Sequence, residues 1–193
     1  MNDLTSEDLK IIYKKLESYK AADTIEAKDK LREFFRIITQ VVHDGEVCIR
    51  DHGSFIDKFK ASAPYHWFFT TVEKARLTYD QPFSVSFNEI IDYKVGEIVD
   101  SLHINFMVSV SWLILQYVLA YQNPKMTVFY GTLMDPDFRR DIFDMKFVEV
   151  KMPGDFGCHH SKVSILKYKD NSIRILISTA NLYLRDWQTR TQG

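Results

Sequence analysis

From about residue 64 onward, short strand-like runs alternate with helical ones, and that alternation limits the chain to an α/β architecture. Residues 67–71 are rich in β formers. Ser86 is placed to cap a helix over residues 87–93. Residues 104–110 read as a buried strand, and 112–120 as the helix that follows it. Residues 126–130 read as another strand, closed by Gly131. Asp135-Pro136 opens a short helix to about residue 143, and residues 147–150 are again a strand. Residues 163–168 and 173–178 flank Asp170-Asn171 in the pattern of an antiparallel hairpin. Strands interleaved with helices indicate an α/β sandwich.

Residues 1–62 have a different texture. They are highly charged and read as a helical extension. Ser6-Glu7-Asp8 resembles a helix start, ahead of Leu9, Ile12, Tyr13 and Leu16 at helical spacing. A second amphipathic run over 25–42 places Leu31, Phe34, Phe35, Ile38, Val41 and Val42 on one stripe, and Asp44-Gly45 ends it. Residues 63–193 form the second unit.

The two cysteines, Cys48 and Cys158, make no disulfide framework and read as free thiols of a reducing compartment. The first fifteen residues are charged from Asp3 onward, which does not fit a signal peptide. The longest apolar region, 104–121, is interrupted by Asn105, Ser109, Ser111 and Gln116, and no membrane partner is expected. The expected compartment is cytosolic or nuclear. A net charge of −1 alone argues against a nucleic-acid ligand. The distribution argues the other way: residues 151–193 hold seven Lys or Arg against three Asp, with two His.

That basic segment also holds the chemistry. His160-Ser161-Lys162 opens a strand, and side chains two apart on a strand share a face, about 7 Å apart at the backbone. Gly154 and Gly157 let the chain turn before it. Asn181 follows the next strand, so the three polar groups converge if those strands are neighbours. The trio suits phosphoryl transfer. A neutral imidazole can attack phosphorus and hold it covalently. A Lys ammonium offsets charge on the non-bridging oxygens, and an Asn amide can donate to the same oxygens. No metal or other cofactor is called for. A zinc reading of His159-His160 finds no Cys-x-x-Cys or His-Glu-x-x-His beside it, and Cys158 alone is poor support. Taken by itself, His-x-Lys is also a common surface pair.

The surrounding residues narrow the reading. Phe156-Gly-Cys-His-His-Ser-Lys162, Ile177-Ser-Thr-Ala-Asn-Leu182, Asp186-Trp187 and Arg190-Thr-Gln-Gly193 resemble, in order and spacing, the tyrosyl-DNA phosphodiesterase family. The resemblance extends weakly back to residue 64 through Ile104-Asn105-Phe106 and Gln116-Tyr117. The wider phospholipase-D group usually has an Asp five residues after the motif Lys. Here that position is Lys167, and this branch uses the downstream Asn instead. The resemblance implies half of a phospholipase-D-like α/β/α sandwich with a mixed sheet. It implies a metal-independent hydrolase that acts on DNA 3′ ends carrying a tyrosyl or other adduct, in DNA repair and in the nucleus, with the cytoplasm as second compartment. His160 would be the nucleophile, while Lys162 and Asn181 would hold the phosphate oxygens. Gln192 would support the site by hydrogen bonding. Phe156 would stack on a DNA base, and Phe106 would line the substrate groove, with core packing as its plainer role.

The family uses two such motifs, and this chain has one His-x-Lys. Three arrangements accommodate that. The chain is half of a longer product, it pairs with itself as a homodimeric nuclease, or it is a non-catalytic homologue that binds DNA ends or other partners. The first is favoured, because half a sandwich leaves an apolar face and edge to be covered. A second phospholipase-D-like half is therefore an expected partner.

Overall fold

The computed structural model describes residues 53–72, 75–79, 81–136, 144–154 and 157–193. The amphipathic runs read at 6–16 and 25–42 lie outside the described residues, as does most of the helix read from Asp135 to about residue 143.

Helix α1, Ser54–Ala61, buries Phe55 in the same core as the strands that follow. Lys58 on this helix donates to Glu89 at 2.6 Å, and Ser54 Oγ donates to the same carboxylate at 2.7 Å. Glu89 is almost fully buried, so these partners compensate a charge that would be costly alone. A two-residue parallel pair follows, β1 (Phe69–Thr70) with β2 (Ser84–Val85). Ser86 caps α2 as the sequence indicates, and Glu89 reaches back to accept from the Ser86 N–H at 3.3 Å. The helix is shorter than expected, Phe87–Ile90, because Asp92 and Lys94 turn the chain: the Lys94 N–H donates to the Asp92 carboxylate at 2.9 Å.

The sheet is built from β3 (Ile98–Val108), β4 (Lys125–Leu133), β5 (Met145–Glu149), β6 (Lys162–Tyr168) and β7 (Ile173–Ile177). Helix α3, Val110–Leu119, connects β3 to β4, and α4, Leu184–Gln188, follows β7. The strand order is β5-β4-β3-β6-β7. Strands β3, β4 and β5 are parallel, whereas β6 runs antiparallel to both β3 and β7. The sheet is thus mixed and the chain is α/β, as expected. The β6–β7 hairpin forms where Asp170-Asn171 predicted it, with Asn171 at φ 68° and Asp170 accepting from the Ser172 N–H at 2.9 Å.

Two strand boundaries differ from the sequence reading. Strand β3 starts six residues before 104, because its core-facing positions Ser101, His103 and Asn105 are polar and mask the apolar alternation. The burial of His103 is made tolerable by two partners: Nδ1 lies 2.7 Å from Ser164 Oγ, and Nε2 lies 3.0 Å from Tyr117 OH. Strand β4 also continues through Gly131 to Leu133 rather than closing there. Gly131 is a point of close approach: a Cβ at that position would lie 2.8 Å from Phe106 Cδ2 and 3.1 Å from the Phe106 carbonyl oxygen.

Helix α3 is buried nearly all round. Its first turn is satisfied by Ser109 Oγ, which accepts from the Trp112 N–H, and by the Asp135 carboxylate, which accepts from the N–H groups of Val110 (2.7 Å) and Ser111 (2.8 Å). The core then closes on aromatic rings. Trp187 of α4 meets Phe87 edge-on at 4.9 Å and stacks on Trp112 at 6.2 Å. Through Trp187 the core fixes α4, and through α4 it fixes the loop that carries Asn181. Among the described residues no helix is long and apolar enough to cross a membrane.

Candidate active site

His160 stands just ahead of β6, and Lys162 is the first residue of that strand. Alternation along β6 turns Lys162, Ser164, Leu166 and Tyr168 toward the core face. Lys162 lies at the end of that row, buried to 8% exposure, while His160 is exposed. The ammonium therefore emerges from the protein at the edge of the core. Its Nζ lies 3.1 Å from His160 Nδ1 and 3.3 Å from Nε2, and it donates to the His160 carbonyl at 3.1 Å. The Phe106 ring packs against His160 with 5.1 Å between centroids, and Lys162 Nζ lies 6.0 Å from the same ring. Histidine, lysine and phenylalanine thus form one cluster at the mouth of β6.

Burial lowers the pKa of Lys162. The charges of Asp186 and Cys158 work in the other direction and stabilise the ammonium. Lys167, five residues after Lys162, stands on the opposite face of the strand and is exposed. Cys158 is a free, exposed thiol. Among the described residues no group of three or more His, Cys, Asp or Glu side chains is arranged to hold a metal ion.

Asn181 reaches the same end of the sheet by a longer route. Asn105 is the register partner of Lys162 across β3 and β6. Its side chain accepts from the Leu182 N–H at 3.3 Å and donates to the Ala180 carbonyl at 3.4 Å, so it grips the chain on both sides of Asn181. The Asn181 amide is itself held: Oδ1 accepts from the Met107 N–H at 3.3 Å, and Nδ2 donates to Asp186 Oδ2 at 2.8 Å. One of its two amide hydrogens remains for a ligand. Gln192 lies in the terminal segment, where Oε1 accepts from Thr179 Oγ1 at 2.7 Å and the backbone pairs with Thr70. Gln192 therefore braces the loop before Asn181. Phe156 lies outside the described residues.

Two residues that build the site were not assigned a role from sequence, Asn105 and Asp186. Both stand in the motif stretches, and the one local signal is that each is a polar residue beside large apolar ones, in Ile104-Asn105-Phe106 and Asp186-Trp187.

Gly131 bears on the same cluster through Phe106. Gly131→Ala is expected to push the Phe106 ring out of place and to destabilise the fold by about 1–3 kcal/mol, the usual range for overpacking. Thermal melts would record the loss, and an unchanged melting temperature would count against the close approach.

A mixed sheet with His-x-Lys at the head of one strand fits the phospholipase-D fold class. The family model for tyrosyl-DNA phosphodiesterase matches residues 66–193. The chain belongs to the tyrosyl-DNA phosphodiesterase family. It is similar to tyrosyl-DNA phosphodiesterase 1 of Drosophila melanogaster, with 36% identity over 149 residues, covering 74% of this chain and 25% of that protein. It is also similar to a probable tyrosyl-DNA phosphodiesterase of Caenorhabditis elegans, with 35% identity over 97 residues, covering 49% of this chain and 22% of that protein. Among solved structures, a mutant of yeast tyrosyl-DNA phosphodiesterase 1 shares the fold at a TM-score of 0.50 and 18% identity, over 64% of this chain and 30% of that one. The chain spans about a quarter of the length of the curated relatives it matches.

Proposed function

We propose that this chain supplies the nucleophilic half of a metal-independent phosphodiesterase site that acts on DNA 3′ ends blocked by tyrosine or another adduct. The reading rests on one observation above all, the 3.1 Å approach of Lys162 Nζ to the exposed His160 ring beside Phe106. A phosphate attacked by that ring has its non-bridging oxygens next to the ammonium.

In the proposed reaction a neutral His160 nitrogen attacks phosphorus. The P–N bond forms as the bond to the tyrosyl oxygen breaks, and that oxygen takes a proton from an acid on the second half of the site. Water then attacks phosphorus and gives its proton to the same group. The P–N bond breaks, and His160 and a DNA 3′ phosphate are released. Lys162 and the free amide hydrogen of Asn181 bind the oxygens that gain charge in both steps. Gln192 holds the Thr179 side of the loop. Phe106 and Phe156 offer flat surfaces for bases of single-stranded DNA, which suits an end of any sequence. The second half, with its own His and Lys, comes from outside these residues. Removal of 3′ adducts is a DNA-repair activity, and its place is the nucleus.

Two oligonucleotides test this, one ending in a 3′-phosphotyrosyl group and one in a 3′-(4-nitrophenyl phosphate), both in EDTA. Nitrophenolate leaves without help from an acid. The chain alone is therefore expected to release one equivalent of it and to become covalently joined to the DNA, while the tyrosyl substrate reacts far more slowly. A folded chain that releases no nitrophenolate and traps no DNA would overturn the proposal. Activity abolished by EDTA would overturn its metal independence.

A further inference from the structure

The loop that carries Asn181 is tied to a single buried carboxylate. Asp186 lies in the first turn of α4 at 4% exposure. Its Oδ2 accepts two hydrogen bonds from the same residue, from the Asn181 backbone N–H at 2.9 Å and from Asn181 Nδ2 at 2.8 Å. Its other oxygen lies 3.9 Å from Arg190, whose guanidinium is largely exposed. The adjacent Trp187 anchors α4 in the aromatic core. The carboxylate therefore cannot follow the solvent, and its position is set by the fold.

A buried charge of this kind is costly unless it is matched. Arg190 matches it weakly, at a distance and in water. The other cation in its field is Lys162 at the mouth of β6. The groups around this pair are Lys162 and His160 from the head of β6, Cys158 before them, Tyr183 from the loop ahead of α4, and Arg190 after it. Asp186 is the one carboxylate among them.

We infer that Asp186 is a positioning residue for the phosphate-binding pair: it orients the Asn181 amide by a direct hydrogen bond and holds the Lys162 ammonium protonated by its charge. This deepens the proposed function and rests on it for the roles of Asn181 and Lys162. One side chain thereby couples the two oxygen-binding groups, which stand on different elements. A carboxylate that acts on both makes the site cationic at Lys162 in spite of burial, and leaves one Asn181 hydrogen aimed outward.

Asp186→Asn separates charge from shape, because an amide oxygen can still accept from Asn181. In the variant, the alkaline limb of the nitrophenolate-release profile is expected to move to lower pH by about one unit, the low end of the effect of an opposite charge on a neighbouring group. A second readout does not depend on catalysis: the pH dependence of Lys162 acetylation by a water-soluble anhydride, followed by mass spectrometry on the full chain. Its midpoint should fall by a similar amount in Asp186→Asn. It should return toward the original value in the exchanged pair Asn181→Asp with Asp186→Asn, where the carboxylate is restored one residue position away in the same hydrogen bond. A purely structural role for Asp186 would lower activity or melting temperature and leave both midpoints where they were, and that result would overturn the inference. If the unmodified chain releases no nitrophenolate but the acetylation midpoint still moves as described, the proposed reaction fails while the electrostatic link between Asp186 and Lys162 stands.

Discussion

His160→Ala is expected to leave no covalent protein–DNA adduct with either 3′-blocked oligonucleotide, and to lower nitrophenolate release by at least about 10³-fold, as removal of a nucleophile does in other covalent enzymes. The reason is positional. No other imidazole shares the mouth of β6 in a usable state. His103 is sealed in the core between Ser164 and Tyr117, and His159 is half-buried with its Nε2 out of contact with solvent. His160 alone is exposed beside Lys162. The substitution removes a surface ring, so the fold should survive it, and circular dichroism and the melting temperature should match those of the unmodified chain. An undiminished yield of adduct in His160→Ala would sink the assignment of the nucleophile. Lys162→Ala serves as the companion: it should still form adduct, more slowly.

The second large effect concerns acid. Burial holds His103 neutral and lowers its pKa from 6.5 to about 3. In the unfolded chain the same ring titrates near 6.5, so between these values the unfolded state binds the extra proton and the folded state does not. Stability therefore rises with pH across this window. His103 costs nothing above about pH 6.5, and each unit below it removes about 1.4 kcal/mol, up to about 5 kcal/mol near pH 3. Urea unfolding at a series of pH values would show this as a slope beyond that of the carboxylates. His103→Gln can keep a polar link to Ser164 or Tyr117 but does not titrate, so its stability should fall less steeply between pH 6.5 and 3. Equal slopes in the two proteins would exclude His103 as the source. Tyr117, whose pKa burial pushes up, stays neutral throughout and adds no slope of its own.

The residues that were hardest to read from sequence share a feature with His103. Ser101, His103 and Asn105 occupy core-facing positions of β3, where an apolar alternation would have announced the strand. Their partners are remote: Ser164 and Tyr117 for His103, Ala180 and Leu182 for Asn105. A polar side chain in a strand is uninformative until its partner is known, and these partners lie on other elements. Gly131 was misread for a related reason. A glycine in a strand pattern signals either an end or a close approach, and only the neighbouring strand, which brings up Phe106, decides between them.

What the sequence determined by itself is local. The Asp170-Asn171 turn fixes the hairpin, Ser86 and Ser109 fix helix starts, and strand alternation places the His160 and Lys162 backbones on one side of the chain. These follow from turn chemistry, capping and the period of two, which act over a few residues. What only the tertiary structure decided is the placing of β3 between β4 and β6, the grip of Asn105 on the Asn181 loop, and the burial of Asp186 behind it. Those depend on hydrogen bonds and packing between segments far apart in the chain, which form only once the aromatic core of Phe87, Trp112 and Trp187 has closed.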